Sequence, residues 1–170
     1  MKQLYFMRHG LSEMNKQGVF SGRIDTPLAD EGKIQSRKAG QTLKATGIQL
    51  IVSSPMKRAY DSAVIVAEEI GYPKHSIILS ELFMERDLGS LEGSNYIRGL
   101  QLNEFAGVEH SGNLIERASA GLAYLNSLDT DIVLLVSHSA MGRALTHIID
   151  PKAEFSRINT FPNAEVIRLI

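Results

Sequence analysis

Cysteine is absent from all 170 residues, which removes disulfides, thiolate–zinc sites and cysteine nucleophiles from consideration. An excess of charge of one sign is also lacking: Lys and Arg number 18 against 19 acids, a net charge of -1. So balanced a chain has no general pull on nucleic acid or an anionic membrane, and any anion recognition has to be local. No run approaches the ~18 apolar residues of a membrane-spanning helix. The opening MKQLYFMRHG meets Arg8 and His9 too early for a signal-peptide apolar region. A soluble, cytoplasmic protein with no nucleic-acid or membrane partner is expected. No glycine-rich stretch ends in Gly-Lys-Ser/Thr, which disfavours a P-loop phosphotransferase. Repeats, low-complexity tracts and Pro/Ser-rich linkers are missing too. With 44% hydrophobic and 22% charged residues, the composition is that of an ordinary globular protein. The length fits a single domain over 1–170, at ~100–200 residues per domain.

What is present alternates between strand and helix signals. Leu4 to Met7 and Leu50 to Val52 are short apolar runs, Ile77 to Leu79 a third, and Ile132 to Val136 five consecutive aliphatics. That last run predicts a strand buried on both faces. Residues 165–170 close the chain as a final strand. Helices are predicted over 31–46, with a thin apolar stripe and ending near Gly47, and from Ser54 and Pro55 to Ile70. A further helix of 12–16 residues carries Leu114, Ala118, Leu122 and Leu125, a stripe that reads as core, and another covers 140–149. Residues 11–29 read as a loop, and 81–99 as irregular. Strands alternating with helices predict an α/β layered fold with a largely parallel sheet.

Three of these strands end at polar residues. The first runs into Arg8-His9, the second into Ser53-Ser54 with Arg58 a turn later, and the strongest into Ser137-His138-Ser139. In open α/β sheets, ligands bind beyond the carboxyl ends of the strands. If the three run parallel, His9, Arg58 and His138 gather over one sheet edge with Arg8. Guanidinium forks match phosphate oxygens, so a phosphoryl group is the natural guest. His75, His110 and His147 lack metal-ligand spacing and read as structural or exposed.

The blocks Arg8-His9-Gly10, Ser12-Glu13, Asn15, Ser21-Gly22, Asp25-x-Pro27-Leu28, Gly32, Ser53-Ser54-Pro55 with Arg58-Ala59, Glu85-Arg86 with Gly89, and Ser137-His138-Ser139 are in a telling order. Together they resemble the histidine phosphatase superfamily, in its phosphoglycerate mutase-like branch. The resemblance implies a three-layer α/β fold whose mostly parallel sheet has helices on both faces. It implies a phosphomonoesterase acting on a small phosphorylated substrate, with no metal or cofactor. His9 would be the nucleophile that becomes a phosphohistidine, kept neutral by the nearby arginines. Arg8 and Arg58 would clamp the phosphoryl oxygens, with His138 as a further donor. Glu85 would protonate the leaving alcohol and then activate water, a role that needs a raised pKa. Asn15, Ser21, Gly22 and Ser139 would bind substrate, although Ser139 reads equally as a helix N-cap.

Two departures narrow the reading. The lid at about 86–112 is short, and Arg98 alone replaces the carboxylate-binding arginines of the longer insertion in the mutases. Tyr96 falls where those mutases carry a basic residue. Both argue for hydrolysis over mutase chemistry. Ala29 stands where relatives often have a hydroxyl cap, with Asp30 expected to take over the capping. Protein phosphohistidine phosphatase, a mutase-type phosphotransferase and an inactive phospholigand-binding protein are the alternatives. The oligomeric state is open.

Overall fold

A computed structural model describes residues 1–170. Strand β1 (Gln3–Arg8) leads through the short helix α1 (Glu13–Lys16) to α2 (Asp30–Leu43) and β2 (Leu50–Ser53). Then come α3 (Lys57–Ile70), β3 (Ile78–Leu79), α4 (Ser111–Ser127), β4 (Ile132–Ser137), α5 (Ser139–Ile149) and β5 (Val166–Arg168). The sheet order is β3-β2-β4-β1-β5. The first four strands of that order are parallel, and only β5, on the edge, is antiparallel to its neighbour.

Period-two alternation sorts the core into two layers. Leu4, Phe6, Val133 and Leu135 pack with Leu114, Leu125, Met141 and Leu145 from α4 and α5. Met7, Ile51, Leu134 and Val136 face the other way, against Ala39, Leu43, Ala63 and Val66 from α2 and α3. The aliphatic run of β4 is thus buried on both faces, as its composition predicts.

Several element boundaries differ from the sequence reading. Ser12 and Asn15 form a capping box that starts α1 inside the stretch read as loop. Helix α2 spans Asp30–Leu43, ending short of residue 46. Ala29 occupies its N-cap without a side-chain bond. Asp30 does not cap it; it lies inside the helix and pairs with Lys33 at 2.8 Å. The thin stripe of α2 suffices because small residues let α3 approach closely: a Cβ on Gly40 would meet the Glu69 Cβ at 2.7 Å. Helix α3 begins at Lys57 with Met56 as N-cap, beyond the Ser54-Pro55 start expected. The Ser54 hydroxyl is occupied elsewhere, and Asp25 Oδ1 instead accepts the Lys57 N–H at 2.7 Å. Helix α4 runs to 17 residues, longer than expected, because the exposed His110 caps it through Nδ1.

The turn after β1 is locked by a close backbone crossing. A Cβ at Gly32 would stand 2.1 Å from the Leu11 carbonyl oxygen. Gly32→Ala should therefore destabilise the fold by about 1–3 kcal/mol, measured by urea unfolding. An unchanged midpoint would contradict the crossing.

Candidate active site

Strand register brings the polar strand ends together. Arg8 pairs with Ser137 across β1 and β4, and Ser53 pairs with Val136 across β2 and β4. The residues that follow, His9, Ser54 and His138, therefore emerge at one sheet edge, at the carboxyl ends of three parallel strands. A cavity of about 400 Å³ opens there, and Arg8, His9, Arg58 and Glu85 all line it.

His9 is buried, and each ring nitrogen has one partner. Nδ1 lies 2.7 Å from the Gly10 carbonyl oxygen, which can only accept a hydrogen bond. Nε2 lies 3.2 Å from Arg58 Nε, which can only donate. The imidazole is therefore neutral, with its proton on Nδ1 and its lone pair on Nε2. Burial pushes the His9 pKa well below the ordinary imidazole value, and Arg58 and then Arg8 push it further.

Arg58 is 1% exposed and holds the first loop as well as His9. Its Nη1 donates to the Ile24 carbonyl at 2.9 Å and Nη2 to the Gly22 carbonyl at 2.7 Å. Gly22 has φ +47°, and a Cβ there would strike the Glu92 carboxylate. That carboxylate accepts from the backbone N–H groups of Arg23 and Leu88, tying the lid to this loop. Ser21 lines the cavity, and its buried hydroxyl has no protein partner. Arg8 donates through Nη1 to the Phe161 carbonyl and leaves its buried Nε unpartnered. Burial lowers the pKa of both arginines, and Glu85 is the leading opposing charge for each.

His138 sits behind this set. It is fully buried, does not line the cavity, and its ring centroid is 5.1 Å from that of His9 in a T-shaped contact. Ser54 Oγ accepts the Met56 N–H and lies 2.8 Å from His138 Nε2. The other ring nitrogen, Nδ1, is buried without a partner. Ser139 is not an N-cap: His138 holds that position. Ser139 lines the cavity, its Oγ accepting the Phe161 N–H at 3.2 Å. Asn15 lines the cavity with its Oδ1 engaged by Ser12 N–H and by Asn163 Nδ2.

Glu85 is partly buried and accepts the Arg86 backbone N–H on Oε1 at 2.9 Å. Its backbone carbonyl faces Arg23 Nε and Arg117 Nη2, each at 3.4 Å, and Arg117 pairs with Glu109 at 2.8 Å. This bracing from α4 was not visible in the sequence. Also missed were Asn163, which donates to the His9 carbonyl, and Arg86 and Arg143, which line the cavity. A signal existed for Arg143. It follows Ser139 by four residues, so a helix there places both on one face.

Two buried neutral histidines make stability depend on pH. In the unfolded chain each takes up a proton as pH falls through about 6.5. In the fold the pKa values of His9 and His138 lie well below that, burial being the largest cause. The unfolded state thus binds more protons. Stability is complete above about pH 6.5 and declines below it, by up to about 1.4 kcal/mol per pH unit for each histidine. Urea unfolding at pH 7 and 5.5 measures the decline, and His138→Gln should remove one histidine's share. Equal stability at both pH values would contradict the assignment.

The family model of the histidine phosphatase superfamily (branch 1) matches residues 4–170. An uncharacterized phosphatase, PhoE, of Bacillus subtilis is 32% identical over 165 residues, covering 93% of this chain and 84% of that protein. A 2,3-bisphosphoglycerate-dependent phosphoglycerate mutase of Parvibaculum lavamentivorans is 42% identical over 94 residues, 54% of this chain and 45% of the mutase. The chain spans about half the length of several curated relatives it matches. Among solved structures, a mycobacterial glucosyl-3-phosphoglycerate phosphatase in complex with VO3 superposes with a TM-score of 0.85 at 26% identity, covering 99% of this chain and 90% of that one.

Proposed function

This chain belongs to the histidine phosphatase superfamily, and on that premise we propose that it is a metal-independent phosphomonoesterase working through a phosphohistidine on His9. The observation that carries the reading is the hydrogen-bonding of His9. With Nδ1–H fixed on the Gly10 carbonyl, the Nε2 lone pair is directed at Arg58, beside the cavity that both residues line.

The chemistry divides into two displacements. Nε2 attacks phosphorus as the bond to the leaving alcohol breaks, and the proton of the Glu85 carboxylic acid passes to the departing oxygen. Glu85, now a carboxylate, takes a proton from water. The water oxygen bonds to phosphorus, the P–N bond electrons return to Nε2, and inorganic phosphate leaves. Arg8 and Arg58 supply the positive charge that the transferring group needs. Their unpartnered or loop-held N–H groups, with the Ser21 hydroxyl, are donors suited to phosphoryl oxygens.

Glu85 lines the same cavity as His9, which favours an alcohol leaving group over a phosphorylated imidazole. Tyr96, its ring tilted against Phe20 at 5.0 Å between centroids, is 53% exposed at the lid, and so open a lid admits water. That favours hydrolysis over mutase chemistry.

The test is release of inorganic phosphate from p-nitrophenyl phosphate in EDTA, with vanadate as inhibitor. Activity should persist in the chelator, and complete loss would contradict metal independence. Glu85→Gln should lower kcat about 10²–10⁴-fold on an alkyl phosphate and far less on the aryl ester, whose leaving group needs little protonation. Equal losses on both would remove Glu85 from the acid role.

A further inference from the structure

Glu85 stands on a stretch of chain that no sheet ladder holds. After β3 comes one 3-10 turn (Glu81–Phe83), and the chain then runs without regular structure past the end of β4. Its backbone carbonyls are held one after another by side chains from other elements. Ser137 Oγ, at the end of β4, donates to the Phe83 carbonyl at 2.7 Å. Arg117 of α4 takes the residues on either side. Its Nη1 donates to the Leu82 carbonyl at 3.0 Å and the Met84 carbonyl at 2.8 Å, and Nη2 makes a longer contact with the Glu85 carbonyl at 3.4 Å.

The other N–H groups of Arg117 go to one carboxylate. Nε donates to Glu109 Oε1 at 3.0 Å and Nη2 to Oε2 at 2.8 Å. All five donors of the guanidinium are thus committed, and the two-point pairing with Glu109 fixes the plane of the fork. Both side chains are largely withdrawn from water, 16% and 11% exposed. A pair so placed is a weak source of stability, because lost hydration offsets the attraction; what it supplies is direction. Glu109 is also stitched to the far side of Glu85. Its carbonyl accepts from Arg86 Nε at 2.7 Å, and its N–H donates to the Asp87 carbonyl at 2.9 Å.

The peptide joining Glu85 to Arg86 links this bracing to the carboxyl. Its C=O is the one that Arg23 and Arg117 contact, and its N–H donates to Glu85 Oε1 at 2.9 Å. Rotation of that peptide therefore carries the carboxyl with it, out of the cavity shared with His9.

We infer that Arg117, locked by Glu109, is a positioning residue for the acid: it holds the backbone of residues 82–85 so that the Glu85 carboxyl meets the leaving oxygen. Neither Arg117 nor Glu109 lines the cavity, so each acts only through Glu85. The inference rests on the phosphomonoesterase reading, in which Glu85 protonates the alcohol.

The test is kcat/KM on propyl phosphate and on p-nitrophenyl phosphate, a quantity that ends at alcohol release and excludes the later attack of water. Arg117→Gln should lower it about ten- to hundredfold on propyl phosphate, as for a carboxyl displaced by about an ångström. On the aryl ester, whose leaving group needs little protonation, the loss should be no more than about threefold. Arg117→Lys keeps the charge beside Glu109 but cannot span three carbonyls and a carboxylate. It should show the same selective loss, and it carries the test if the glutamine variant does not melt cooperatively. Either change added to Glu85→Gln should cost nothing further on propyl phosphate, because the group being positioned is gone. Wild-type kcat/KM on propyl phosphate in a folded Arg117 variant, equal losses on both esters, a further selective loss in the double variant, or failure of both variants to fold would overturn the inference and leave the phosphatase reading standing. Glu85→Gln without a selective loss on propyl phosphate would instead remove the acid role itself.

Discussion

His9→Ala should reduce phosphate release by about four orders of magnitude or more, since it removes the group to which the phosphoryl is passed. The change also removes a fully packed ring that contacts His138 and orients Arg58, so folding must be followed in parallel. His9→Asn provides the control. A side-chain amide can retain a contact with the Gly10 carbonyl and the Arg58 N–H, yet it has no lone pair nucleophilic enough for phosphorus. Both variants should lose turnover while the asparagine form keeps more of the thermal stability. The measurement is steady-state kcat on p-nitrophenyl phosphate beside a thermal melt. Either folded variant turning over within tenfold of the wild type would contradict the nucleophile assignment.

Arg58→Ala should come second, with a loss of about 10²–10³-fold in kcat. Three of its N–H groups hold His9, the Gly22 carbonyl and the Ile24 carbonyl, so the variant loses both a clamp for developing phosphoryl charge and the anchor of the first loop. The loss should appear in kcat more than in KM, because the clamp acts most strongly on the in-line transition state. Arg58→Lys separates the two roles. An ammonium restores charge in the cavity but cannot span three acceptors in one plane, so the first loop stays unanchored and most of the rate stays lost, and whatever rate returns reports charge alone. Wild-type kcat in Arg58→Lys would show that charge alone suffices and that the fork geometry is irrelevant.

The parts of this molecule that were legible in the sequence depend on local patterns. Five aliphatics in β4 specify a two-sided buried strand, and that strand fixes the register that sets Arg8 beside Ser137. Once three parallel strands end at one edge, His9, Arg58 and Glu85 share a cavity. What escaped depends on contacts between distant segments. Asp25 caps α3 across the chain, so the Ser54-Pro55 signal misplaced the helix start. Ser54 serves His138 instead, and His138 lies behind His9 where a direct place on the cavity wall was expected. Asn163, preceded only by Phe161 and Pro162, gave no pattern to read. It arrives at His9 because the backbone N–H of Ala164 bonds to the Arg8 and His9 carbonyls. Small residues along α2 concealed its packing face for the same reason: Gly40 matters through what Glu69 brings near it.

The most direct measurement is the stereochemical course at phosphorus, with an ester made chiral by oxygen isotopes. Each in-line displacement inverts the phosphorus centre. Transfer to His9 Nε2 followed by hydrolysis comprises two such steps, so the inorganic phosphate released should show net retention. Net inversion would mean that water attacks the substrate directly, and the phosphohistidine account would be wrong.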